Sequence, residues 1–319
     1  MDNLAHSLVG AALGEAGLKE KTGLGLATLI IAANIPDIDV IGLAFGENLA
    51  WRRGWTHGPI ALLLLPPLLT LAMIAFDRWQ ARRGKRPEGR PPVHAGWLLA
   101  LAYVGTLSHP FFDFLNTYGV RCLMPFSDRW FYGDTLFIID VWLWTVLAIG
   151  VWLARRRRRR TQAHPRRPAI AAIGLVSAYI AAMGMGSVAA AQLAARSVEA
   201  AGRAPIVSIM ANPVPVNPFR RDIIWNDGEA YGFGSVTWKP GPEVVLEERM
   251  TPILMNDPAI AEAAIRDKRV RDFLYWSRYP YAVVDRRPDG RTVTLGDARY
   301  DIERGQSRFT VTTELPADR

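Results

Sequence analysis

Long apolar runs alternate with arginine-rich loops through the first two thirds of this 319-residue chain, and that alternation restricts what it can become. The runs are 60–76, 95–115, 138–154 and 169–195. A helix needs about 20 apolar residues to cross roughly 30 Å of hydrocarbon, where every backbone polar group must be satisfied internally. Residues 1–35 add two shorter apolar helices, with a break at 17–23 and Asp2 or Asn3 as a cap. They form either a re-entrant or packed pair, or one span running from Gly23 into the early forties and interrupted at Pro36. The expected fold is an all-α polytopic membrane bundle of about four to five segments, followed by a small α+β soluble domain.

Charge orients the bundle. Loop 77–94 carries six Lys/Arg and loop 155–168 carries eight, six of them in the unbroken run 155–160. Loops 36–59 and 108–137 carry two each. By the positive-inside rule the first pair is cytoplasmic and the second faces the opposite side. Residues 200–319 then emerge outside the cytoplasm, which in a bacterium is the periplasm. The chain carries a formal net charge of +8, yet the tail from Ala200 has 17 basic and 17 acidic residues. The excess therefore belongs to the apolar part and speaks for topology rather than nucleic-acid binding. The basic loops are also the one candidate surface for a cytoplasmic regulator. Met1-Asp-Asn-Leu has no basic n-region and no cleavage site after a short apolar core, so no cleaved signal peptide is expected. The lone Cys122 excludes an intrachain disulfide and a multi-cysteine zinc site.

The tail has a different texture. A proline-rich extended stretch at 205–218 precedes short strand-like runs at 230–239, 243–248, 281–285, 292–295 and 308–313, separated by Asp-Gly and Lys-Pro-Gly turns. Residues 258–276 read as one amphipathic helix. The division expected is a membrane domain over 1–199 and a soluble domain over 200–319.

The chemistry concentrates at 108–119, where Ser108, His109, Asp113 and Asn116 follow an apolar run. On a helix starting at Ser108, with Pro110 in its first turn, the side chains of 109, 113 and 116 fall within roughly 60° of one another. Polar side chains aligned at membrane depth are costly unless they pair, bind an ion or react. Asp37, Asp39, His57 and Asp140 emerge on the same side of the membrane, and His6 lies near the start of the first helix. Imidazole and carboxylate together suit zinc, with manganese and iron as alternatives. Such an ion lowers the pKa of a bound water toward about 7 and polarises a phosphoryl or carbonyl oxygen. Arg53, four residues before His57, is placed to steady a developing negative charge. Asp140 reads equally well as the cap of the span that follows it.

The order Ala5-His6, Pro36-Asp37-Ile38-Asp39, Arg53-Gly54-Trp55-Thr56-His57, then Ser108-His109 with Asp113, resembles the YdjM-like family of bacterial inner-membrane, metal-dependent hydrolases, also described as LexA-binding. Asn116-Thr-Tyr-Gly119, Pro125 and Trp130 continue the likeness, which covers roughly residues 1–150. It implies His6, Asp37, Asp39, His57, His109 and Asp113 as metal or catalytic residues, with Arg53 as a polar partner. Two positions depart from the pattern: Arg52 stands where the family has a histidine, and Gly58 where it has a serine.

The resulting expectation is a membrane-bound hydrolase. His6, Asp39, His57, His109 and Asp113 hold a divalent metal ion, Asp37 acts as general base, and Arg53 and Asn116 assist. A site at the bilayer face favours a membrane lipid, a lipid-linked small molecule or a phosphate ester. The contrasting class is a transporter or scaffold with a structural metal or proton site; no internal repeat supports a transporter.

Overall fold

The computed structural model describes residues 1–46, 48–203, 205–300 and 309–317. It divides into two compact units, Met1–Gly184 and Met185–Arg319.

Helices build the first unit. Asp2 opens α1 (Asn3–Glu15) by accepting from the Leu4 and Ala5 amides at 2.9 and 3.1 Å. A 3-10 turn, Leu18–Glu20, leads to α2 (Gly25–Ala32). Residues Ile35–Phe45 then form an 11-residue 3-10 segment where Pro36 favours a loop or an extended stretch. Its face is split: Asp37, Asp39 and Gly42 are buried while Ile38, Ile41 and Leu43 are exposed. The short α3 (Asn48–Trp51) and a 3-10 turn at Trp55–His57 precede α4 (Pro59–Arg82). The remaining helices are α5 (Ala95–Phe114), α6 (Val141–Arg159) and α7 (Arg167–Ala200).

Close backbone approach sets the packing of α5. A Cβ on Gly105 would lie 2.6 Å from the Ala32 Cβ and 2.9 Å from the Leu29 carbonyl oxygen, so only glycine lets α5 press onto α2. That contact brings the end of α2 beside His109. The helix does not restart at Ser108; α5 runs unbroken through Pro110, with the Ser108 hydroxyl donating to the Gly105 carbonyl at 2.7 Å. The core beneath joins Ala5, Val9 and Ala12 of α1 to Phe112 of α5, Leu143 and Leu147 of α6, and Val176 of α7.

The number of membrane spans is lower than expected. Among the described residues, α4 and α7 are long and apolar enough to cross a membrane, and the pair Gly25–Ala32 and Ile35–Phe45, bent by 44°, makes at most a third. The shortfall from four to five lies in α5 and α6. Before Ser108, α5 offers only the apolar residues 95–107, and α6 offers 141–154 before its arginines. At 1.5 Å per residue each covers about 20 Å, short of the hydrocarbon thickness.

The second unit holds the sheets. Strands β1 (Ser208–Pro213), β2 (Arg220–Asn226), β3 (Ala230–Thr237) and β4 (Glu243–Pro252) form an antiparallel meander in sequential order. A second antiparallel sheet joins β5 (Pro280–Arg287), β6 (Gly290–Asp297) and β7 (Thr310–Pro316). The strand expected at 308–313 falls partly outside the described residues, since the description resumes at 309. Ala190, Ala194 and Val198 of α7 pack against Ile223, Trp225 and Val236, so this unit begins before the change of composition at Ala200. The single helix expected at 258–276 is two, α8 (Pro258–Arg266) and α9 (Lys268–Trp276). Asp267 divides them: its backbone is extended and its carboxylate accepts from the Arg269 amide at 2.9 Å, a cap in place of a helical turn.

One ion pair is sealed inside this unit. Arg299 grips Asp297 through Nε and a terminal nitrogen at 2.9 and 2.7 Å, and the Arg278 amide donates to the same carboxylate at 3.0 Å. Burial raises the Asp297 pKa, but the Arg299 guanidinium, the Ser277 hydroxyl and the Arg299 amide outweigh it and hold the group below the usual carboxylate value. A depressed folded pKa stabilises the fold above the unfolded value of about 3.9 and ceases to do so as pH falls through the folded one. Asp297→Ala should cost about 3–5 kcal/mol at neutral pH, because it strands the Arg299 charge. Denaturant unfolding of the detergent-solubilised chain should show this gap narrowing as pH falls below about 4.

Candidate metal centre

Three segments deliver the four converging residues of the polar centre. The 3-10 segment Ile35–Phe45 brings Asp37, the turn Trp55–His57 brings His57, and α5 brings His109 and Asp113 one helical turn apart. One ligand atom from each of Asp37, His57, His109 and Asp113 lies within 4.8 Å of all the others, and all four residues are buried. His57 Nε2 stands 3.2 Å and His109 Nε2 3.5 Å from Asp113 Oδ2, and His109 Nε2 stands 3.6 Å from Asp37 Oδ1. From α1, His6 stacks on the His109 ring at 3.8 Å and sets its Nε2 3.3 Å from Asp113 Oδ1. The Met1 amino group pairs with the same carboxylate.

A further layer orients the imidazoles. His109 Nδ1 lies 2.7 Å from the Ala33 carbonyl, which can only accept, so Nδ1 carries a proton and Nε2 is aimed at Asp113 and Asp37. His57 Nδ1 contacts the Thr56 hydroxyl at 3.0 Å and lies 3.6 Å from Asp39 Oδ2. Burial pushes the His57 pKa down against the opposing pull of Asp113. Burial also takes His6 down to about 3, with Asp113 again opposing. In both rings burial favours the neutral imidazole, the form that ligates metals.

Two arginines neutralise the carboxylates. Arg53 is buried, with Nε 3.1 Å from Asp113 Oδ2, and its guanidinium donates to Asn116 Oδ1 at 2.9 Å and to the Gly119 carbonyl at 3.1 Å. Its backbone sits at φ +53°, the left-handed region, held by an amide bond to Asp39 Oδ2 at 2.7 Å. Arg52 bridges Asp37 at 3.2 Å and Asp39 at 2.6 Å. Where the resembled pattern has an imidazole, this chain thus places a permanent cation between two carboxylates.

The donors fit a metal ion. His57 Nε2, His109 Nε2, Asp113 Oδ2, both Asp37 oxygens and both His6 nitrogens are buried without a hydrogen-bond partner. Asp113 Oδ2 and Asp37 Oδ1 have only the arginine ion pairs, and one cation at this convergence would satisfy several of these atoms together.

A model of the YdjM inner membrane protein family matches residues 1–190. The chain belongs to that family. No curated protein and no solved structure matches it. The match reaches past the roughly 150 residues carried by the motifs and takes in α6 and most of α7.

His6, Asp37, Asp39, Arg53, His57, His109, Asp113 and Asn116 all lie in or against the centre. Asp37 joins the converging ligand atoms, while Asp39 stands behind them, bonded to Arg52 and Arg53 and facing His57 Nδ1. Asn116 holds Arg53 and the Tyr118 amide. Asp140 is elsewhere: it caps α6 through the Leu143 amide at 2.8 Å and accepts from the Tyr179 hydroxyl at 2.9 Å.

The sequence reading passed over Arg121. Buried beneath Trp130, it donates to the carbonyls of Ala50 and Arg52 at 2.6 and 2.9 Å, and its amide bonds the Arg53 carbonyl at 2.8 Å. It thereby fixes the loop that presents both arginines. Its one sequence signal is a basic residue inside an aromatic-rich loop. Gly58 also gains a reason: a Cβ there would lie 1.9 Å from the Met124 carbonyl oxygen, leaving no room for the serine of the resembled pattern.

If Asp39 orients His57 rather than ligating, Asp39→Asn should weaken metal affinity by about 10–100-fold while stoichiometry at saturating metal is retained. Competition against a chromophoric chelator measures both quantities.

Proposed function

We propose that residues 1–199 form a membrane-embedded metal-dependent hydrolase and residues 200–319 a small domain on the periplasmic side of the inner membrane. The observation that carries this reading is the convergence of buried atoms from Asp37, His57, His109 and Asp113 that make no hydrogen bond. Two imidazoles and two carboxylates, with His6 stacked behind them, suit zinc, and manganese or iron accept the same donors. A divalent ion held by these four residues supplies Lewis acidity for hydrolysis.

The chain's own groups do the rest. Asp37 lines a cavity of about 440 Å³ walled largely by Ile30, Ile31, Ile35 and Ile38. Neither of its carboxylate oxygens has a hydrogen-bond partner, and in this reading one of them takes the proton of the attacking water. Arg53, paired with Asp113 and steadied by Asn116, supplies fixed positive charge where the oxyanion develops. An open surface of isoleucines beside Asn3, Asn34 and Asp37 offers both apolar and polar contacts to an amphiphile, which supports a lipid, lipid-linked or phosphate-ester substrate.

Charge supports the orientation. Arg78, Arg82 and Arg83 cluster at the end of α4, and Arg166 and Arg167 at the start of α7. Those two ends belong on the cytoplasmic face, which sends the end of α7 at Ala200 to the other side. A reporter fused after Ala200 should be active only outside the cytoplasm; a cytoplasmic signal rejects the orientation.

Metal analysis tests the centre. Detergent-purified wild type should carry stoichiometric divalent metal, lost in both His109→Ala and Asp113→Ala. Metal-free wild type of normal stability would sink the hydrolase reading. One observation favours a second, non-catalytic reading as a scaffold or proton site: Arg52 and Arg53 already neutralise all three carboxylates. That reading expects a stable wild type without metal.

A further inference from the structure

The arginines at the end of α6 do more than mark a membrane side, because they border a cavity. It measures about 590 Å³ and lies between α1 and α6. Its apolar wall is Leu8 of α1 with Ala148, Val151 and Trp152 of α6. Its polar end is Arg155, Arg156, Arg159 and Arg160, and no carboxylate lines it.

The order along α6 is that of an amphiphile. Ala148, Trp152, Arg155 and Arg159 follow at steps of four, three and four, so they stack along one face of the helix. From 148 to 159 the stripe rises about 16 Å, passing from methyl and indole to guanidinium. The four arginines are not equally free. Arg155 donates to Glu15 at 3.0 Å, and Arg156 lies over the Trp152 ring at 5.2 Å. Arg159 and Arg160 are exposed and make no side-chain hydrogen bond or ion pair among the described residues. A solvated tail needs no apolar wall, and a lipid-facing helix needs no uncompensated guanidinium pair beside its groove. Both together match a phosphate attached to hydrocarbon.

We infer that this groove binds one anionic phospholipid, its phosphate held by Arg159 and Arg160 and the upper part of an acyl chain lying against Ala148, Val151 and Trp152. The site shares no residue with the metal centre, and it stands whether or not that centre is catalytic.

Delipidated full-length chain in a neutral maltoside detergent provides the test, read by native mass spectrometry. Phosphatidylglycerol and phosphatidylcholine with identical acyl chains are titrated separately. The anionic lipid should bind at least about tenfold more tightly, as expected for a charge-assisted contact. Arg159→Gln combined with Arg160→Gln should erase most of that preference and leave phosphatidylcholine unchanged. Both positions are exposed, so folding is not at stake. Ala148→Trp, which fills the apolar wall and spares every arginine, should weaken phosphatidylglycerol several-fold. Equal binding of the two lipids, or full phosphatidylglycerol binding by the double variant, would overturn the inference. So would displacement of the lipid by glycerol phosphate or heparin at matched charge, which would make the groove a bare anion surface.

Discussion

Asp113 is a carboxylate with no solvent exposure, and the amino-terminal unit is arranged around it. A buried carboxylate costs several kcal/mol unless charges and donors surround it. Here its neighbours come from segments far apart in the chain: His6 from α1, Arg53 and His57 from the fifties, and His109 from the preceding turn of α5. None of those segments can leave without stranding the charge. The cost of burial thus becomes a demand for one particular assembly, which hydrophobic contact alone does not impose.

Support spreads outward from that charge in rings. Asp39 receives the Arg53 amide and the Arg52 guanidinium, and Arg121 donates to the carbonyls of the loop beneath them. The strained backbone at Arg53 is tolerable because both of its neighbouring peptide groups are bonded, one to Asp39 and one to the Arg121 amide. Aromatic rings close the assembly, with Tyr118 over Arg53 and Trp130 over Arg121. Rigid positioning of this kind is what a metal or a reacting group requires of its surroundings.

Much of this was legible in the residues themselves. The spacing of His109 and Asp113 needs only helical periodicity. Roles were less legible than membership. Two carboxylates at i and i+2 look alike in sequence, and only the 3-10 path decides that Asp37 joins the converging atoms while Asp39 lies behind them, bonded to Arg52 and Arg53. Arg121 was invisible because its partners are carbonyl oxygens, which every residue possesses. The count of spans misled because apolar length was read without subtracting the turns that α5 gives to its polar end and α6 to its arginines. In the tail, Asp267 acts as a cap although the amphipathic period continues across it, so periodicity alone overran the break.

Gly58 carries a consequence for how such a chain can change. The carbonyl of Met124 occupies the space in which any side chain at 58 would begin. Drift at 58 is therefore closed until the loop around 124 has moved, and a loop that has settled there removes the path back. A side chain at 58 therefore requires a different course for the loop around 124.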